Sequence, residues 1–268
     1  RKRVLLSPPR QYAYLYPFPH THVSYHQSQV DFADPDVLTF PDFTRAGAVE
    51  AILEPGDAIY IPPFWWHRIE ALDLSLSMSV VSPSAEEGHL AKASWTKLPF
   101  GALESVEQKA VGVQIYLVHL LSRLRGITSP RDYARELYDL RFAALFPESS
   151  LEALRVKAAP TEEEDMCLMH RPDKHKFTRD KLPKERIIAS ARTVAELVNY
   201  DEFVETKILQ VWLGDYLEDL ARWAVGTSRV HLFVAQCLDF DRLPDEAIST
   251  IWEEGPAVLS FEDDMVES

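Results

Sequence analysis

The feature that most restricts what this chain can fold into is a change of hydrophobic period near residue 104. Before it, Leu74, Leu76, Met78 and Val80 alternate with Ser75, Ser77 and Ser79, the two-residue repeat of a strand with one wet or cavity-facing side. After it, Val106, Val113, Tyr116, Leu117, Leu120, Leu121 and Leu124 trace the stripe of a helix that Gly126 closes. Strands gathered in the first part and helices in the second make a mixed β and α chain.

Residues 1–100 read as strand and loop. Strands are expected at Val4–Ser7, Ala48–Leu53, Ala58–Ile61 and His67–Leu72, with the Leu74–Val80 alternation as a fifth. Glu54-Pro55-Gly56-Asp57 supplies a turn, Pro62-Pro63 a stop, and Asp73 a tight reversal. Between Pro8 and Ala46 lies a long segment rich in Pro, Tyr, His and Asp, whose aromatics argue for an ordered functional loop. In residues 101–268, Ser129-Pro130 caps a helix running to about Phe146, residues 147–183 read as irregular, and helices follow over Lys184–Val198, Asp201–Val225 and Arg229–Leu238. From Asp241 onward nine acids face one arginine, a net of −8 against −14 for the chain, which marks a solvated tail.

Composition removes several function classes. With 28 Lys and Arg against 42 Asp and Glu, the chain lacks the clustered positive charge of a DNA surface. No apolar run reaches the roughly 18 residues that a membrane span needs. Cys167 and Cys237 are too few for a disulfide framework or a cysteine zinc site, and a reduced, intracellular compartment, cytoplasm or nucleus, is the expectation. Arg1-Lys2-Arg3 runs straight into Val4-Leu5-Leu6, like a strand entered midway through a domain, so a preceding segment is expected.

The sharpest chemical signal is Gly56-Asp57-Ala58-Ile59-Tyr60-Ile61-Pro62-Pro63-Phe64-Trp65-Trp66-His67. A glycine turn feeds an apolar strand, a proline ends it, and a histidine opens the next strand, where its ring can point into a barrel. The Gly-x5-Pro-x4-His spacing resembles the second cupin motif, and Trp-Trp-His narrows the likeness to the JmjC and cupin-like hydroxylases. A second stretch, Tyr14-Leu15-Tyr16-Pro17-Phe18-Pro19-His20 followed by Gln27-Ser28-Gln29-Val30-Asp31-Phe32, is similar to the branch of that family typified by hypoxia-inducible factor asparaginyl hydroxylation. The implied fold is the C-terminal half of a double-stranded β-helix (cupin or jelly roll) over residues 1–100, followed by an α-helical extension over 101–268 with its acidic tail.

The resemblance implies Fe(II) and 2-oxoglutarate as cofactors. It makes His67 the last ligand of a two-His-one-carboxylate triad, a geometry that leaves positions for 2-oxoglutarate and dioxygen. It makes Lys2 the cation that holds the distal carboxylate of 2-oxoglutarate, and places Ser79, or Val81 two residues on, on the final strand near the cofactor, where the family carries an asparagine. Gln27 falls in the substrate loop, where its amide can pair with a peptide amide. By the same likeness, helices within Glu104–Phe146 build a homodimer interface. His20, His22 and His26 match no ligand spacing and read as loop residues.

The other two triad ligands come as His-x-Asp or His-x-Glu ahead of the Lys-Arg pair, and the sequence contains neither pattern; His170-Arg171-Pro172-Asp173 has the wrong spacing. One ligand of three is present, and the chain alone is expected not to turn over. The leading reading is therefore a 2-oxoglutarate-dependent protein hydroxylase represented by the distal part of its barrel. The competing reading is a catalytically inactive cupin-like interaction scaffold; a small-molecule cupin, such as a sugar isomerase or storage protein, fits least. The substrate is expected to be a protein, and histone lysine demethylation is disfavoured because neither a reader domain nor a zinc motif is present.

Overall fold

The computed structural model describes residues 1–127, 129–147, 165–200 and 204–238. Three antiparallel strands, β1 (Lys2–Ser7), β2 (Val49–Leu53) and β3 (Trp66–Ala71), pair in the order β2-β1-β3, so the first strand lies in the middle. Register sets the faces. Val4 lies opposite Ala51 and Ile69, and Leu6 opposite Val49 and His67, so Lys2, Val4, Leu6, Val49, Ile69 and His67 all project from one side. Val4 and Leu6 are buried there, yet Val49 and Ile69 are 60% and 48% exposed. The opposite side carries ion pairs, Arg3 to Glu50 at 2.8 Å and Arg68 to Glu70 at 2.9 Å.

Two expected strands pair with nothing among the described residues. Ala58–Ile61 forms no ladder, and neither does Leu74–Val80, where Leu74, Leu76, Met78 and Val80 are nearly fully exposed. Alternation marks a strand only when a neighbouring strand is there to accept its backbone bonds. Of the strands expected for a jelly-roll half, the described residues pair three in one small antiparallel sheet.

Seven helices are described: α1 (Ala85–Ser94), α2 (Val106–Leu121), α3 (Pro130–Arg141), α4 (Pro172–Asp180), α5 (Lys184–Tyr200), α6 (Thr206–Val225) and α7 (Val230–Cys237). Helix α1 falls inside the stretch read as strand and loop. Its start is a capping box, Ser84 Oγ accepting from the Glu87 amide while Glu87 Oε2 accepts from the Ser84 amide. Helix α4 lies in the stretch read as irregular, because the residues it buries, His175 and Arg179, are polar and leave no apolar stripe to read. The acidic tail from Asp241 lies outside the described residues.

Helix α2 is the centre of the second half. It is apolar almost all round, as a helix enclosed on every side must be, and residues 110–121 are all buried. The apolar side chains that the family likeness assigned to a dimer interface are therefore largely covered within this chain, chiefly by α5 and α6. Close approach is built in: a Cβ on Gly112 would meet Leu103 Cδ1 at 2.7 Å. Cys167, ahead of α4, is bonded to Cys237 at the end of α7, and both are buried. That bridge was not expected from the sequence, where the two cysteines read as unpaired thiols. No helix among the described residues is long and apolar enough to cross a membrane.

The long N-terminal loop joins the halves. Tyr12, Tyr16 and Val30 pack with Leu140 of α3, and Phe40, Phe43, Trp66 and Val211 close around them. Beneath them Arg141 is fully enclosed. Its guanidinium donates to Tyr12 Oη, Asp215 and Glu218, each at 2.7 Å. Burial works against the Arg141 charge, but Tyr12 and the two carboxylates outweigh it and raise its pKa; burial pushes the Glu218 carboxyl up while Arg141 holds it down.

Candidate functional site

The site follows from how the chain reaches His67. Glu54 to Asp57 reverses direction around Gly56 at φ 95°, with the Asp57 amide donating to the Glu54 carbonyl at 3.1 Å and Asp57 Oδ2 accepting from the Glu54 amide at 2.9 Å. Pro62 and Pro63 then bar a ladder. Phe64 takes φ 61°, a left-handed conformation that a large side chain adopts only when its surroundings hold it. Here its ring is held against the helical core. The Trp65 amide closes the turn on the Pro62 carbonyl at 3.3 Å, and β3 starts at Trp66. Trp66 turns to the charged side of the sheet, its ring 6.5 Å from Tyr12, so the next residue, His67, must project from the other side.

His67 is exposed on that face. Its Nδ1 lies 3.3 Å from the Trp65 carbonyl. In the tautomer that protonates Nδ1, this contact orients the ring and leaves the Nε2 lone pair free, as a metal-binding imidazole requires. Lys2 stands on the same face at the far end of β1, four residues from Leu6, the partner of His67. Its Nζ donates to Ser77 Oγ at 2.8 Å. The serine within reach of the cation is thus Ser77, and Ser79, two residues on and exposed, makes the next step along the same extended chain.

Gln27 is exposed at the neck of a narrow loop, where its carbonyl accepts from the Phe18 amide at 2.9 Å. A polar strut supports that loop. Gln29 Nε2 donates to the carbonyls of Pro17 at 2.9 Å and Arg141 at 3.0 Å, and Glu218 Oε2 accepts from the Thr21 amide at 3.1 Å. His20 lies between Asp219 at 3.5 Å and Asp215 at 3.8 Å. The hydrogen bond to Asp219 raises the His20 pKa, and the same bond lowers that of Asp219. His22 stacks on Phe18 instead of joining His20.

The structure therefore brings Lys2, Ser77 and His67 to one face of one sheet, and it sets Gln27 on a separate, braced loop. Sequence reasoning missed Ser77, for which parity with Ser79 was a signal, and missed Arg141 and Glu218, which no local pattern marks. Among the described residues no group of three His, Cys, Asp or Glu could hold a metal ion.

Comparison with known proteins singles out the same segment. Residues 1–83 match the cupin-like domain. Lysine-specific demethylase 8 of Xenopus tropicalis is 49% identical over 65 residues, which is 24% of this chain and 14% of that protein. HSPB1-associated protein 1 of Homo sapiens is 34% identical over 114 residues, 40% of this chain and 22% of that protein. JmjC domain-containing protein D of Dictyostelium discoideum is 36% identical over 78 residues, 29% of this chain and 17% of that protein. The chain spans between 14% and 22% of the length of these relatives.

Proposed function

We propose, from the premise that residues 1–83 are cupin-like sequence of the JmjC kind, that this segment gives an Fe(II)- and 2-oxoglutarate-dependent oxygenase its third metal ligand and its cofactor clamp. The observation that carries the reading is the shared sheet face of His67 and Lys2. A neutral imidazole suits Fe(II), and a compact ammonium suits a carboxylate end group.

The described residues offer one donor of a three-donor set, so on their own they do not fit a metal centre. A His-x-Asp or His-x-Glu pair from sequence beyond these 268 residues would complete it. When bound, iron and 2-oxoglutarate would supply the reduction of dioxygen that oxidises a substrate C–H bond. For the residues in hand, Lys2 would pair with the distal carboxylate of 2-oxoglutarate, Ser77 or Ser79 would add a hydrogen bond, and Gln27 would meet a peptide amide of a protein substrate. Asparagine fits the sequence likeness, and the name of one relative, lysine-specific demethylase 8, brings lysine into the same set.

The inactive scaffold is the second reading, favoured by the lack of a three-donor group among the described residues. Calorimetry with Mn(II) and 2-oxoglutarate on the full-length gene product separates the two. The oxygenase reading expects heat from both, loss of Mn(II) binding in His67→Ala, and loss of 2-oxoglutarate binding alone in Lys2→Ala. Absence of heat from the wild type assigns the scaffold.

A further inference from the structure

One side of α6 carries Trp212, Asp215, Tyr216, Asp219, Leu220 and Trp223, the spacing that places side chains along a single helical stripe. That stripe forms the wall of a cavity of about 670 Å³, which His20 of the N-terminal loop, Ser94 of α1 and Phe100 complete. The wall is aromatic. Trp212 stacks on Tyr216 with ring centres 5.0 Å apart, and Trp223 on Phe100 at 5.2 Å. Trp212 is held in place by its indole N–H, which donates to Ser94 Oγ at 3.1 Å.

The charge at the cavity is carboxylate. Asp215 gives one oxygen to Arg141 at 2.7 Å, and Asp219 gives one to Arg222 at 2.8 Å. Among the described residues, the second oxygen of each faces the His20 imidazole, at 3.8 Å and 3.5 Å. The same aromatic wall already seats one of the protein's own ammonium groups, since Lys109 Nζ of α2 stands 5.3 Å from the centre of the Trp223 ring. An aromatic surface beside half-used carboxylates favours a cation whose charge is spread over alkyl groups, because such an ion sheds water cheaply and gains from the ring faces. A bare metal ion finds no three-donor group there among the described residues.

We propose that this cavity binds a small organic cation, an alkylated ammonium ion, against Trp212 and the unshared oxygens of Asp215 and Asp219. The site is separate from the His67 face and stands whether or not the oxygenase reading holds. His20 is its internal competitor: protonated, it satisfies the two oxygens that the ligand would use. The groups facing His20 are Asp215, Glu218, Asp219 and Arg222 from α6, Arg141 from α3, and Tyr25 from its own loop, edge-on at 5.5 Å. The Asp219 hydrogen bond raises the His20 pKa and so favours the protonated competitor over the ligand.

The test titrates the protein with choline and with 3,3-dimethyl-1-butanol, two molecules of one shape that differ in charge, following heat and the indole N–H resonance of Trp212. Choline is expected to bind roughly tenfold more tightly than the alcohol. Asp219→Asn should weaken choline about fivefold and leave the alcohol unchanged. Choline affinity should fall as pH drops through the His20 titration, and His20→Gln should flatten that dependence. Equal affinity for the two molecules, or no binding of choline, overturns the proposal. Should Asp219→Asn fail to fold, the charge comparison and the His20→Gln pH profile on folded protein still decide it.

Discussion

The two halves of this molecule treat apolar residues in opposite ways. Around α2 nearly every apolar side chain is buried, with Leu117, Leu120 and Tyr116 at 0% exposure, whereas on the sheet Ile69 and Val49 stay about half open and Leu74 to Val80 meets solvent. The difference comes from the backbone. A helix satisfies its own hydrogen bonds and needs neighbours only for its side chains, so the helical half closes on itself; a strand needs a second strand for its main chain as well. The open face of the sheet is the face that carries His67 and Lys2. What makes this half poor as a self-contained core makes it available as part of a site.

Breaking the joint between the halves should have the largest effect. Arg141→Ala would strand the buried Glu218 carboxylate and release Tyr12, and urea unfolding should show a loss of about 3–5 kcal/mol. The contrast itself is tested by a pair of truncations. Leu117→Ala should cost about 2–5 kcal/mol and Ile69→Ala less than about 1 kcal/mol; equal costs would show the sheet to be as well packed as the helices.

Acid should act on the helical half. Burial, with nearby Arg123, holds the His119 pKa down at about 4, and burial does the same for His175, against an ordinary value of 6.5. Between those values the unfolded chain binds protons that the folded one refuses, so stability should fall as pH drops from about 6.5 towards 4. His20 has the reverse sign. With its pKa raised, its contribution is complete below the unfolded value and fades as pH rises through the folded one, which a His20→Gln comparison of melting temperature against pH would expose. The smallest effect is expected at Arg3→Ala on the charged side of the sheet, where an exposed ion pair should leave the unfolding midpoint unchanged within error.

The parts of this architecture legible in the sequence were those with local causes. The stripe from Val106 to Leu124 and the Ser129-Pro130 start gave α2 and α3, and the glycine turn and double proline gave the run into β3. Helix α1 was written in the Ser84-Glu87 capping box, but the serine-rich alternation just before it suggested more strand. The pairing of Leu74–Val80 could not be read, because alternation reports a face and is silent about the neighbour. Nor could the Cys167–Cys237 bond be read, since it depends on helices that bring together residues 70 positions apart. At the site, His67 and Lys2 were named from motif and likeness, and their common face needed the register. Arg141 and Glu218 were invisible for the same reason as the disulfide: their partners are distant in sequence.

Amide hydrogen exchange across residues 1–127 tests the account most directly. The amides of α2 should be protected to nearly the full unfolding free energy, those at the centre of β1 moderately, and those from Leu74 to Val81 hardly at all. Protection of Leu74–Val81 equal to that of α2 would mean that the His67 face is already closed by a partner strand, and would contradict it.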